Sequence, residues 1–418
     1  MKKLFHINRV VIENFFSLSI LNALNVLLPL ITLPYLTRVV GIDKYGLYYY
    51  VYTLIQTLII ISSYGFNFSA TKIISQNRDN KDYVNRVYNA VIGCKAIISV
   101  IIVLVVLSLS CLLLDSSELL LMFVLGLGML LGDVITPVWL FQGMEKMKYM
   151  TIVNSLSKII FTLLVFIIIR SPHDFTKLML INSFGYLIAG VLSLWLVYKQ
   201  FSLRIGLPII SEMKNQIKEG AAVFGTTMGI NLYRRINVLI LKHFVSDAAV
   251  SVYAASEQII RGFQSLINPL VQAIFPHLSL KFKNRSDNDN IKMIRKISIP
   301  FSILLFVLSL GVMLSADIIV QIMTDADFAD ATLLVRCMVP VIFFGQMNYL
   351  LGIVGLINMN RQRYFFHSVL VAGIVSVAFI LGFAPKLGNL AAAISMPLSE
   401  LALFILCIIS FLKISKKR

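Results

Sequence analysis

Charge is scarce in this 418-residue chain. Asp, Glu, Lys and Arg make up 14% of it, against 58% hydrophobic residues. Soluble domains carry about 25% charged residues, so the deficit excludes an ordinary soluble protein. Acids are the scarcer sign: 20, against 37 Lys and Arg, for a net charge of +17. Cysteine is scarce too. Cys94, Cys111, Cys337 and Cys407 each stand alone in an apolar run with no CxxC pairing, which excludes a disulfide framework or zinc module and reads as packing. The five histidines are scattered, so neither a metal nor a cofactor is expected. Long connectors are also missing. Outer loops such as LLDSSELL and MTDADFAD are very short, leaving no extramembrane domain to house a catalytic site. The chain is not expected to be an enzyme.

What the sequence has in excess is apolar length. VLLPLITLPYL, AIISVIIVLVVLSLSCLLL and IIFTLLVFIII belong to runs able to cross the ~30 Å hydrocarbon layer. A β-barrel would show alternating segments of ~10 residues instead. The expectation is an all-α polytopic membrane protein with twelve spans: 14–37, 46–66, 87–113, 119–141, 149–169, 177–198, 218–241, 249–275, 297–319, 331–357, 364–383 and 388–412. Both ends then share a side. The basic residues agree: 25 fall on that side and six on the other. Cytoplasmic loops hold the Lys/Arg excess, so both termini are expected in the cytoplasm. The longest connectors, around 199–217 and 277–296, are expected on that side. This distribution accounts for the +17 without nucleic acid, and no basic-aromatic tract of the nucleic-acid kind is present. The amino terminus, MKKLFHINR, leads into a long apolar run and reads as an uncleaved first helix rather than a signal peptide.

The chain divides in two: an amino-terminal lobe over 1–198, a linker over 199–217 and a carboxy-terminal lobe over 218–418. RVVGIDKYGLYYY (38–50) lies over KHFVSDAAVSVYA (242–254) without gaps, and GMEKMKY (143–149) over NMNRQRY (358–364). Six spans per half give repeats of the same orientation. That predicts pseudo-twofold symmetry about the membrane normal, with a site between the halves.

Polar residues inside the spans mark candidate sites. Span eight carries Glu257, Arg261, Gln264, Ser265, Asn268 and Gln272 at steps of four, three, one, three and four, hence on one face. Such a face lines a cavity or forms a helix–helix hydrogen-bond seam. Glu257 and Arg261 are also an i,i+4 pair. Span seven carries Asn231, Arg234 and Arg235; adjacent helix positions diverge, so one arginine at most points straight into a cavity, and both stand close enough to the outer end to snorkel. Span five carries Lys158 near mid-depth. Lys95 lies in span three, and Arg336 near an outer end reads as a snorkelling residue. The acids Asp133, Glu257 and Glu400 are either salt-bridge partners or sites of proton or sodium coupling. Cations outnumber acids at depth, which suits an anionic ligand, and guanidinium groups suit phosphate oxygens. Tyr48, Tyr52 and Gln56 share one face of span two. That face offers a sugar-stacking surface or an interfacial tyrosine belt.

NFFSLSILNALNVLLPLITLPYLTRVVGIDKYG (14–46), SSYGFNFSATKIISQNRD (62–79), VWLFQGMEKMKY (138–149) and AASEQIIRGFQSLINPLVQAIFPHLS (254–279) resemble the corresponding segments of bacterial O-antigen and capsular polysaccharide flippases of the Wzx type. These form the polysaccharide-transport branch of the multidrug/oligosaccharidyl-lipid/polysaccharide (MOP) exporter superfamily. The resemblance implies two six-helix lobes in a V of the multidrug and toxin exporter (MATE) kind. It implies inner-membrane passage of an undecaprenyl-diphosphate-linked oligosaccharide, coupled to a H+ or Na+ gradient, with a glycan polymerase and chain-length regulator as partners. One departure stands out: RRIN (234–237) occupies a place where that family often has an acidic or small polar residue. A drug antiporter of the same fold, a polytopic polymerase or ligase, and a non-transporting scaffold are the rival readings.

Overall fold

A computed structural model describes residues 9–109, 116–282, 286–357, 359 and 361–416. Among these, every regular element is helical. In chain order they are α1 (Arg9–Val40), α2 (Ile42–Ser63), α3 (Phe66–Gln76), α4 (Lys81–Ser108), α5 (Ser117–Ile135), α6 (Val138–Gly143), α7 (Met147–Ile168) and α8 (Phe175–Phe201). There follow α9 (Ile210–Leu241), α10 (Asp247–Phe282), α11 (Asp287–Leu314), α12 (Ala316–Met323), α13 (Ala331–Met338) and α14 (Pro340–Asn348). A π-helical segment (Tyr349–Ile357), α15 (Gln362–Leu387) and α16 (Asn389–Lys416) complete the chain.

Ten stretches among the described residues are long and apolar enough to cross a membrane. The chain is a multi-pass membrane protein. Spans seven and eight fall on α9 and α10, which are 32 and 36 residues long but are not among the ten. The polar residues that mark them as candidates also lower their hydropathy. Lipid-facing stripes are plain on other helices: Ile97, Val100, Ile101, Leu104 and Val105 of α4 are all exposed at the spacing of one helical face.

Two expectations about connectors need correction. The segment 277–296 is helical over most of its length, because α10 runs to Phe282 and α11 starts at Asp287. Likewise only 202–209 separates α8 from α9. Hydropathy locates the edge of the hydrocarbon layer, whereas a helix continues into water wherever its backbone hydrogen bonds are kept and caps are supplied. Ser286 caps α11 by accepting from the Asp289 amide at 3.2 Å. The loop after span two is also partly helical. Gly65, at φ 76°, turns the chain in a conformation that costs glycine little, and α3 resumes at once.

The chain forms two compact units: 1–28 with 51–228, and 29–50 with 229–418. The division of α1 falls at Pro29, one of its two internal prolines; a proline removes an N–H from the helix ladder and kinks it. In the first unit α5 packs along α8 and α7 along α8. One end is filled by a core around Trp139, with Phe66, Ile74, Tyr88, Phe141 and Met150. In the second unit α15 and α16 form a tight hairpin, and α14 packs against α10, α11 and α16. The two segments aligned as a repeat touch there: the Ser251 hydroxyl donates to the Ile42 carbonyl. Cys94 and Cys407 are buried and Cys337 half-buried, all as free thiols; Cys111 lies outside the described residues. Arg336 is not simply snorkelling, since it pairs with Asp317 at 2.6 Å.

Candidate functional site

The first unit holds three of the candidate charges. Lys95, on α4, is 3% exposed. Its ammonium donates to the Asp133 carboxylate and to the Asp133 carbonyl, both at 2.7 Å. Asp133 stands two residues before the end of α5, so the ammonium also meets the negative end of that helix. The pair is neutral as a unit. Lys158 differs. It sits at the midpoint of α7, eleven residues from Met147 and ten from Ile168, or about 15 Å from either end. It is half-buried, and no carboxylate or hydrogen-bond acceptor among the described residues pairs with it. A lysine at the centre of a span costs about 2.5–3.5 kcal/mol. Near a helix end, snorkelling relieves that cost, but at the midpoint the reach is longest. Asn154, one turn before, donates to the Met150 carbonyl at 2.9 Å. Gln56 is buried and donates to the Tyr186 hydroxyl at 2.7 Å. Tyr52, one turn before Gln56, is half-buried.

The second unit holds a connected polar seam. On α10, Arg261 donates to Glu257 at 2.7 Å, realising the i,i+4 pair. One turn on, Gln264 donates to the Val341 carbonyl at 2.8 Å. Gln346 of α14 then donates to the Gln264 carbonyl at 2.8 Å and to the Asn268 side-chain oxygen at 2.9 Å. Two residues later, Asn348 donates to the carboxylate and the carbonyl of Glu400 on α16, at 2.7 and 2.8 Å. Positions two apart on a helix lie on nearly opposite sides, so Gln346 serves α10 while Asn348 serves α16. Beside them Gly345 allows the close approach: a Cβ there would lie 2.4 Å from the Gln264 amide nitrogen.

Three buried oxygens in this seam have no hydrogen-bond donor among the described residues: Glu257 Oε2, Gln346 Oε1 and Asn348 Oδ1. Leaving such an acceptor unsatisfied costs about 1–3 kcal/mol. Glu400 is 2% exposed and Glu257 is 3% exposed. The π-helical segment begins immediately after Asn348, and π-turns concentrate at functional positions. Neither Gln346 nor Asn348 stands out in the sequence, because a spacing of two breaks the three-and-four period of a single helical face.

Arg235 is half-buried on α9, six residues before its end, and no carboxylate among the described residues pairs with it. The side chains of Asn231 and Arg234 lie outside the described residues. Of the deep cations that are described, two are paired with acids and two, Lys158 and Arg235, are not. No grouping of His, Cys, Asp and Glu among the described residues could hold a metal ion.

The class follows from the fold. The structure superposes on the lipid II flippase MurJ in an inward closed conformation with a TM-score of 0.75, at 12% identity, covering 97% of this chain and 90% of that one. It superposes on an inward-facing multidrug resistance MATE family transporter with a TM-score of 0.72, at 14% identity, covering 96% of both. This is the fold of the MOP exporter superfamily. Within it, the chain belongs to the polysaccharide biosynthesis protein family, whose profile matches residues 11–282. It is 28% identical over 389 residues, 93% of each chain, to a protein of Escherichia coli (strain K12) named "Putative O-antigen transporter". A Shigella dysenteriae protein of the same name is 28% identical over 273 residues, 64% of this chain and 67% of its own.

Proposed function

We propose that this protein flips an undecaprenyl-diphosphate-linked oligosaccharide, an O-antigen or capsule repeat unit, from the cytoplasmic to the periplasmic leaflet by alternating access. The observation that carries the proposal is Lys158, a cation at mid-span with no acid beside it. A position kept only for packing would lose nothing by becoming apolar. A position that meets a passing diphosphate needs its charge free, since an internal partner would compete with the ligand. Arg235, and Arg234 beside it, extend the basic surface toward the outer side. Arg261, tied to Glu257, exchanges that carboxylate for phosphate as the ligand enters. Lys95, tied to Asp133, contributes in the same manner. Asn231, Gln264, Asn268, Tyr52 and Gln56 offer amide and aromatic contacts to sugars.

Coupling to H+ or Na+ is part of the proposal. The buried acids Glu257 and Glu400, beside the donor-poor oxygens of Gln346 and Asn348, form an acceptor-rich seam suited to a cation, and Asp133 is a third acid at depth. The two lobes, 1–198 and 218–418, with six spans each and a linker over 199–217, rock about this region. Both termini face the cytoplasm of the inner membrane, as the basic loops require, and a glycan polymerase and chain-length regulator receive the product. A cation-exporting drug antiporter is the weaker reading because unpaired ammonium and guanidinium groups repel its cargo.

Deleting the protein tests the proposal. Lipid-linked glycan should accumulate in the cytoplasmic leaflet and vanish from the surface. Normal surface glycan in a strain with no second transporter of this family would reject it.

A further inference from the structure

The α15–α16 hairpin carries a cavity of about 530 Å³ that no part of the proposed transport route uses. Its polar end is lined by Arg363, His367 and Lys413 and its other end by Val371, Leu406 and Ile409. On α15 the lining runs from Arg363 to Val371, eight residues or about 12 Å along the axis. On α16 it runs from Leu406 to Lys413 in the opposite sequence direction, so both helices are basic at the same end and apolar at the other.

The basic end is uncommitted. Arg361 is engaged by Asp287 at 2.9 Å, but Arg363 and Lys413 are exposed and form no ion pair among the described residues. No acid among them lines the cavity. His367 is held by its Nδ1, 2.6 Å from the Arg363 carbonyl. The polarity gradient therefore runs along the helix axes, from cationic at the helix ends to apolar one to two turns inward.

We infer that this groove is a binding site for a diacyl anionic phospholipid of the bilayer. Its phosphodiester would sit between Arg363 and Lys413, and an acyl chain would lie over Val371, Leu406 and Ile409. The match is one of charge and of axis. A phospholipid carries its anionic and apolar parts in that order along the membrane normal, and basic pockets between spans hold such headgroups. A soluble anion would use only the basic end. A partner helix would not need two uncommitted cations above an apolar floor.

Native mass spectrometry of the purified full chain tests the inference with phosphatidylglycerol and phosphatidylcholine of identical acyl chains. The wild type is expected to retain phosphatidylglycerol at least 10-fold more strongly. Arg363→Ala with Lys413→Ala should abolish the preference; both residues are exposed, so folding is not at issue. Val371→Trp should weaken retention by filling the apolar end, and inorganic phosphate at the same concentration should not displace the lipid. Equal retention of the two lipids, an unchanged preference in the double variant, displacement by phosphate alone, or a stoichiometric protein occupying the groove would each overturn it.

Discussion

The two units differ in the sign of what they leave unsatisfied. The first unit neutralises Lys95 with Asp133 and leaves Lys158 as a lone cation. The second unit neutralises Arg261 with Glu257, yet leaves buried oxygens on Glu257, Gln346 and Asn348 without donors among the described residues. One interior lacks an anion and the other lacks a cation. A flippase driven by a cation gradient needs both, and the contrast assigns substrate charge chiefly to the first unit and coupling chiefly to the second. Arg235 is the exception in the second unit, and its nearness to the end of α9 separates it from the acceptor-rich seam.

The largest effect is expected from Lys158→Ala. Surface glycan should fall at least 10-fold while the purified protein becomes more stable to heat, by up to about 3 kcal/mol, because a charge at mid-span is removed. Lys158→Arg should restore part of the export. Unfolding of the Ala variant, rather than stabilisation, would mean that the ammonium is structural.

Glu400→Gln should follow. The amide keeps its shape and its carbonyl can still accept from Asn348, so lipid-linked glycan should bind as before. Gradient-driven export should fall about 10-fold if each carried charge supplies at least 1.4 kcal/mol. Full export that still responds to the gradient would move the coupling site away from the second unit.

A smaller effect is expected at Lys95. Lys95→Ala should destabilise by about 3 kcal/mol, since it leaves a carboxylate with no partner in the interior. Adding Asp133→Ala should recover much of the loss. Additive losses in a denaturation double-mutant cycle would show that the two side chains are not coupled. The smallest effect belongs to Gln56→Ala, which removes one neutral hydrogen bond to Tyr186. About 1 kcal/mol of stability is expected to go, with little change in export.

The helical class is readable in the sequence because apolar runs of bilayer length suit little besides membrane-spanning helices. The α10 stripe is readable too, because Glu257, Arg261, Gln264 and Asn268 repeat at helical steps. Pairing between elements is what stays hidden. Nothing in local periodicity joins Lys95 to Asp133, 38 residues away, so a count of deep charges overstates the net positive charge. Gln346 and Asn348 are hidden for a different reason. Their spacing of two reflects a helix that serves neighbours on opposite sides, a pattern that one-face periodicity discards. Loops read as longer than they are because hydropathy registers water, not the end of a helix.

The transport mechanism turns on Lys158 holding the diphosphate during passage. Flipping of a fluorescent lipid-linked glycan in proteoliposomes isolates that step, with diphosphate and monophosphate linkages compared for the wild type and for Lys158→Ala. The wild type is expected to move the diphosphate form much faster than the monophosphate form. The variant is expected to move both slowly and at the same rate. A variant that flips the diphosphate-linked glycan at the wild-type rate would contradict this role for Lys158.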